Sequence, residues 1–494
     1  MEPWMIVLAF VLYFLMLLGV GWLTGRNATK DSYFLGNRQS IWWLVAFGML
    51  SDSMSGVSFI SVPGDVYNSN FFYMQTVMGY VLGYVVIAFV LLPLYYKLQL
   101  TSIYSYLGQR FEKDHQRTGA AYFVLSRLVG SAARLCLTAV ILQKYLFDAM
   151  GFPFWASVAI IIILILTYTI KGGIRTLVFT DAIQSAFLVG GLVLCVWALL
   201  KGLPGKDIFQ WVQTSGHSNW FNWDFGSKTY FWKHFLGGAF ICITMTGMDQ
   251  NMMQKNLSCR SLKDAQKNIL SYGSVVFIVN MIFLSLGALM LQYLFQHHIP
   301  MPLKPDGTAD TDAIFPLLVL GKHLGLAAAV AFILGLAAAT FSSADSVLTT
   351  LTTSTYIDFL HLDNSSKFNE KQKKNIRNFL HIGFAFLLLG LILFIRALNN
   401  DSLITTVLMV AGFTYGPLLG LFAFGILTKM KPGGTGAIVV CLVAPFYTFL
   451  ISKIPPSAIG GYKFGFELLL INGMLTFIGL TLVSILGSRK KAVN

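Results

Sequence analysis

The chain has 494 residues, of which 56% are hydrophobic and only 11% charged, with a net charge of +14. A soluble protein of this size carries about a quarter charged residues, and a large soluble helical protein would need charged faces that the apolar segments here lack. Runs of roughly 20 apolar residues, the length that crosses a ~30 Å hydrocarbon core, recur along the whole chain, which points to an all-α polytopic membrane protein.

Thirteen spans are expected, numbered from zero, at about 3–24, 40–63, 72–96, 118–150, 153–170, 179–200, 229–253, 267–296, 322–356, 376–396, 403–427, 433–452 and 464–487. Span 0, "PWMIVLAFVLYFLMLLGVGWLTG", reads as a true span and not a cleaved signal. Its apolar run is too long for a signal h-region, and no basic n-region or small-residue cleavage site flanks it.

Span 1, "WWLVAFGMLSDSMSGVSFISVPG", carries Ser51, Asp52, Ser53, Ser55, Gly56 and Ser58 at its centre. Unwinding there would free backbone carbonyls, which lipid tolerates only where they face a cavity or a ligand. Four serines around an aspartate go beyond what close helix packing needs. Span 3 holds Arg134 in "LVGSAARLCLTAV", too deep to snorkel to either surface. It either pairs with an intramembrane acid such as Asp52 or clamps an anionic substrate through two parallel hydrogen bonds. Asp181 opens span 5 in "FTDAIQ", a sequence that also fits a helix N-cap. Span 6, "GGAFICITMTGMDQNMM", has Thr244, Thr246 and Gly247 inside it. Two interrupted helices five spans apart are what a five-plus-five inverted repeat predicts; the bland reading of span 6 is that its small residues serve packing. In span 8, "FSSADSVLTTLTTS", Ala339, Ser342, Ser343, Ser346 and Thr350 lie along one helix side with Asp345 beside them. Hydroxyls, carbonyls and carboxylates are the ligands of a hard cation, sodium among them. Thr349, Thr352, Thr353 and Thr355 fit ordinary bonding back to their own helix, which leaves Asp345 without a packing explanation.

With the N-terminus outside, the inner loops collect most of the basic residues, among them Lys97, Arg110, Lys113 and Arg117, and then Lys255, Arg260, Lys263 and Lys267. This is the positive-inside asymmetry, so the basic charge is topology and no nucleic-acid partner is expected. An odd number of spans places the C-terminus inside. The five cysteines lack metal or redox spacing and read as packing residues; His297 and His298, adjacent in a loop, form no ligand cluster. No nucleophile motif, Walker loop or dinucleotide fingerprint is present, so the sequence offers no support for an enzyme.

Five segments in order carry a family resemblance: "DSYFLGNR" (31–38), "MSGVSFISVPGDVY" (54–67), "LTSIYSYLGQRF" (100–111), "KGGIRTLVFTDAIQ" (171–184) and "DQNMMQKNLSCRSLKDAQ" (249–266). On a matching topology, the chain resembles the sodium:solute symporter family of sodium/sugar, proline, iodide, vitamin and sialic acid carriers. The resemblance implies a LeuT-like fold with broken first and sixth core helices. Its parts would be an extra helix and loop over 1–39, the first repeat over 40–200, an outer loop over 201–228, the second repeat over 229–428, and two further helices with a basic tail over 429–494.

By position, the resemblance implies a sodium site made by the carbonyls of Ser51, Met54 and Ala339 and the hydroxyls of Ser342 and Ser343. A second sodium site, present in some members, would correspond to Asp181, Ser342, Asp345 and Ser346. The sialic acid branch has a serine where this chain has Asp345. Substrate contacts would fall on Ser53, Ser55, Ser58, Tyr73, Gln75 and Arg134, with Asp52 as a charge partner or proton site. In the sialic acid branch an arginine at the position of Arg134 holds the substrate carboxylate, which favours an organic acid. That branch has no acid at Asp52 and a glutamine in place of Val77, so a neutral sugar is the next choice.

Sodium as coupling ion, a small solute and the lipid bilayer are then the expected partners, with no other cofactor and no obligate protein partner. A proton-coupled carrier titrating Asp52 or Asp345 is the nearest competitor. A transport-derived sensor or a channel is the other; the short tail "SRKKAVN" offers no signalling domain. Short loops and the lack of targeting segments favour a bacterial inner membrane.

Overall fold

The computed structural model describes residues 3–26, 29–203, 205, 207–321, 323–363, 365–398 and 413–493. Its long helices, in chain order, are α1 (Pro3–Gly25), α2 (Trp42–Ser53), α3 (Gly56–Gly64), α4 (Tyr73–Val86), α5 (Lys113–Leu142), α6 (Phe154–Gly202), α7 (Phe231–Cys242), α8 (Gln250–Leu257), α9 (Leu262–Gln296), α10 (Gly325–Ser354), α11 (Glu370–Leu398), α12 (Tyr415–Leu427), α13 (Gly434–Ser452) and α14 (Leu468–Val493). Among the described residues nine helices are long and apolar enough to cross a bilayer, ten if the bent pair α2–α3 is one span. Strand pairing in those residues is confined to two isolated bridges, Ser40 with Cys259 and Leu303 with Ala309. The first ten residues of the expected span 403–427 lie outside the described residues.

The outer surface is apolar, unlike that of a soluble protein. Leu12, Leu15, Trp22 and Leu23 on α1, and Leu442 and Phe446 on α13, are exposed as a lipid-facing surface requires. The interior is a large apolar core that also encloses many serines, threonines, asparagines and aspartates, and buried polar groups of this kind need partners.

The two expected spans, 153–170 and 179–200, are two helices that follow each other across a kink at Gly173, together Phe154–Gly202. At ~1.5 Å per residue a straight helix of 49 residues would run more than twice the bilayer core. Gly173, with φ 52° and ψ −141°, breaks it, in a backbone conformation that glycine adopts without a Cβ clash. The second half of α6 then lies along α10, with Gly191 against Ala331 and Gly335. Small residues of this kind let membrane helices approach closely. One consequence corrects the capping expectation for Asp181. Helical backbone resumes after Gly173, so Asp181 sits in a helix interior, fully buried, and aims its carboxylate at neighbouring helices.

Both interrupted spans are seen, one displaced. Helices α2 and α3 meet at 71°, with Met54 extended at φ −88°, ψ 92° between them. Span 6 does not break at Thr244–Gly247, which forms a π-turn continuing α7. It breaks at Met248 and Asp249, where Asp249 turns extended and caps α8 by accepting the Met252 N–H at 3.2 Å. An aspartate there satisfies one of the orphan donors of the new helix.

Candidate functional site

The break in span 1 and the hydroxyl run of α10 face each other. Ser51 Oγ donates to Ser342 Oγ at 2.9 Å, and Ser343 Oγ lies 3.1 Å from the Asp52 carbonyl and 3.2 Å from the Ala339 carbonyl. Across the break, the Met54 N–H bonds to Leu50 and the Phe59 N–H to Ser55. Among the described residues no backbone donor outside the helices reaches the carbonyls of Ser51 or Met54. Of the five sodium-ligand candidates, Ser51, Ala339, Ser342 and Ser343 meet at this junction of hydroxyls and carbonyls, and Met54 lies at the break itself, on the cavity wall. Such neutral oxygen donors suit a hard monovalent cation. Among the described residues no three His, Cys, Asp or Glu side chains gather as a metal-binding group.

The carboxylates next to this junction surround a residue that the topology reading put in an inner loop. Lys255 is 1% exposed at its side chain, and its Nζ lies 2.9 Å from Asp52 Oδ2 and 2.6 Å from Asp181 Oδ2. Its third bond goes to Ser346 Oγ at 2.8 Å. The inner-loop placement fails because α8 turns back into the bundle, and all eight of its residues are buried. Asp52 therefore pairs with Lys255 and not with Arg134. Both of its oxygens also accept from the Asn251 amide, at 3.1 and 2.8 Å. Asp345 is held by neutral hydroxyls, Tyr168 at 2.7 Å and Ser346 at 3.2 Å. Asp181 Oδ1 accepts from Ser342 Oγ at 2.9 Å. The four residues of the expected second site are thus linked to one another, Ser342 to Asp181 and Ser346 to Asp345, and two of them, Asp181 and Ser346, hold the ammonium.

Beyond the break opens a cavity of about 400 Å³, whose wall includes Asp52, Ser53, Ser55, Ser58, Tyr73 and Arg134. Tyr80, Tyr84 and Tyr272 add aromatic surface. Ser55 is partly committed, capping α3 by accepting the Ser58 N–H at 3.3 Å. The Arg134 guanidinium makes no hydrogen bond or ion pair among the described residues, and it lines the cavity. Arg127, two turns earlier on α5 and also on the cavity wall, is instead bound to Asp249 at 2.7 Å, a carboxylate that Tyr415 also reaches at 3.3 Å. Gln75 does not line the cavity. Its amide donates to the Phe72 and Thr229 carbonyls and accepts the Asn222 N–H, so it pins the outer loop to the start of α4.

The back-bonding expected for Thr349, Thr352 and Thr353 is present, each hydroxyl reaching the carbonyl four residues earlier. Lys255, Asn251 and the Arg127–Asp249 pair were not foreseen. The signal for Lys255 was a charge imbalance: Asp52, Asp181 and Asp345 at bilayer depth, answered by few intramembrane cations, call for another base within reach.

Comparison with known proteins agrees with this architecture. The sodium/iodide cotransporter of Homo sapiens is 27% identical over 307 residues, covering 61% of this chain and 46% of that protein. Sodium-coupled monocarboxylate transporter 1 of Mus musculus is 26% identical, covering 82% and 65%. The chain therefore spans about half to two thirds of these two relatives. The sodium/sialic acid symporter SiaT of Proteus mirabilis is 25% identical over 448 residues, covering 87% of this chain and 86% of that one. A solved substrate-bound, outward-open Na+-coupled sialic acid symporter shares the fold, with a TM-score of 0.82 at 22% identity over 97% of this chain and 98% of that chain. The pattern of the sodium:solute symporter family matches residues 33–443, most of the chain, and the protein belongs to that family.

Proposed function

We propose that the chain is a secondary active transporter that couples sodium influx to uptake of a small organic solute by alternating access. One observation carries the reading: the α2–α3 break meets α10 through Ser51 on Ser342 and the Asp52 carbonyl on Ser343, beside a cavity whose Arg134 guanidinium has no partner among the described residues. Sodium at Ser51, Met54, Ala339, Ser342 and Ser343 would tie the broken span to α10 and organise the cavity wall that Ser53, Ser55 and Ser58 supply. The solute then meets a formed site. When the bundle rocks to face inward and that site loosens, both leave. Coupling of this kind is reciprocal, so the solute raises sodium affinity by the factor by which sodium raises the solute's.

The solute is an organic acid, with Arg134 as a bidentate clamp for its carboxylate and the tyrosines and serines reading the rest. Asp52 is spoken for by Lys255 and Asn251, which supports leaving Arg134 to the substrate and ranks a neutral sugar second. The names of the relatives, sialic acid and monocarboxylate carriers among them, support the same class. The five-helix repeats, 40–200 and 229–428, together build the carrier, and a bundle of their helices does the rocking. The protein is a cell-membrane carrier, of a bacterial inner membrane, with its N-terminus outside and its C-terminus in the cytoplasm.

The test is thermal stabilisation of the purified protein by sialic acid, short monocarboxylates and neutral sugars, each in sodium and again in potassium. A shift that needs both sodium and one acid is the expected result. A solute shift indifferent to sodium and sensitive to pH would overturn the sodium assignment and favour proton coupling.

A further inference from the structure

Lys255 is held as an ion is held. An ammonium has three donors and no acceptor, and each donor here has an acceptor on a different helix: Asp52 on α2, Asp181 on α6 and Ser346 on α10, at 2.9, 2.6 and 2.8 Å. No donor is left over, and the side chain is 1% exposed. Two carboxylate oxygens and a hydroxyl, gathered from three helices, are the hard-oxygen environment that a small cation takes. Lysine supplies a compact point charge on a flexible stem, and the fold brings that stem in from α8.

A free cation at Asp181, Ser342, Asp345 and Ser346 would have to share Asp181 and Ser346 with this ammonium. Two positive charges a few ångströms apart repel, and burial leaves that repulsion poorly screened. Asp345, the remaining acid, is already supplied with hydroxyl donors by Tyr168 and Ser346. The first-site junction stays open to sodium because it is built from carbonyls and hydroxyls that the ammonium does not touch. Asp181 bridges the two places, one oxygen on Lys255 and the other accepting the Ser342 hydroxyl. A Ser342 hydroxyl that donates to Asp181 turns its lone pairs away from that carboxylate, toward the junction.

We propose that Lys255 is a tethered stand-in for a second coupling cation: it fills the position between Asp52, Asp181 and Ser346, and the carrier moves a single sodium per solute. This rests on the sodium-coupled reading above. The ammonium stays with the protein through the cycle, holding α2, α6, α8 and α10 together while the sodium comes and goes.

Binding of radioactive sodium to the purified full-length protein, at constant ionic strength with potassium, tests this without knowing the solute. The expected result is one saturable sodium per chain, lost in Ser343→Ala. Lys255→Met should bind two, the second lost again when Asp345→Asn is added. Two sodium ions on the unaltered chain, or only one on a folded Lys255→Met protein, would overturn the proposal. If Lys255→Met does not fold, the unaltered chain decides, and Lys255→Arg, which keeps the charge, should also bind one; a second sodium in either overturns it. No saturable sodium on the unaltered chain would overturn the symport reading and this proposal with it. A single sodium that Ser343→Ala abolishes leaves the symport reading standing whatever Lys255→Met does.

Discussion

Asp181 and Lys255 form an ion pair of 2.6 Å with neither side chain more than 1% exposed. Taking two charges out of water is costly, and breaking such a pair by removing one member leaves the other uncompensated, typically costing about 3–5 kcal/mol. Lys255→Ala strands two carboxylates, Asp52 and Asp181, whereas Asp181→Asn leaves the lysine with Asp52. The alanine variant is therefore expected to be the less stable of the two in sodium-free buffer. Thermal unfolding in detergent checks the order, and equal melting points would contradict it.

Ser343 has a lighter structural role. Among the described residues its hydroxyl bonds to the carbonyls of Asp52 and Ala339, and losing a bond of that kind costs about 1 kcal/mol. Ser343→Ala is expected to keep most of the melting temperature but to raise the sodium concentration for half-maximal uptake at least about tenfold, which corresponds to about 1.4 kcal/mol. An unchanged sodium dependence would remove Ser343 from the ion site.

Arg134 separates ion from solute. Because its guanidinium has no partner among the described residues, Arg134→Gln is expected to leave folding and sodium binding nearly intact. Uptake of an organic acid should fall by roughly a hundredfold or more, the loss expected when a charge-assisted pair worth ~3 kcal/mol goes. Side-by-side sodium titration and uptake on the same preparation read the two effects. Loss of sodium binding with the uptake would mean that Arg134 supports the ion site.

The break in span 1 and the hydroxyl face of α10 were legible because each breaks an apolar pattern with oxygen. A serine cluster at bilayer depth has few other uses, and the helical period places Ser342, Ser343 and Ser346 on one side. Lys255 was not legible by the same means. A lysine near a span end is ordinarily a topological anchor, and only the backbone turn at Met248–Asp249 sends α8 inward. Gln75 misled for the opposite reason: its position at the head of α4 suited a cavity, but its amide was needed by the loop carbonyls of Phe72 and Thr229. For Asp181 the N-cap was the alternative to a cation ligand, since "FTD" precedes an apolar run, and the bend at Gly173, eight residues earlier, makes it an interior residue instead.

Asp249 does two jobs that substitutions can divide. It caps α8 through Oδ1 and holds Arg127 through Oδ2. Asp249→Asn keeps an acceptor for the Met252 N–H but loses the charge, whereas Asp249→Ala loses both, the cap being worth about 1 kcal/mol. The alanine variant is expected to melt below the asparagine variant, and both below the unaltered protein. If the asparagine variant matched the unaltered protein, the Arg127 pair would contribute nothing to stability.

The decisive measurement is uptake of a radiolabelled organic acid into sealed proteoliposomes under an inward sodium gradient, with potassium replacing sodium in the control. Accumulation above equilibrium that needs the sodium gradient, and collapses when a sodium ionophore dissipates it, is the predicted result. Accumulation in sodium-free buffer driven by a proton gradient would contradict sodium coupling.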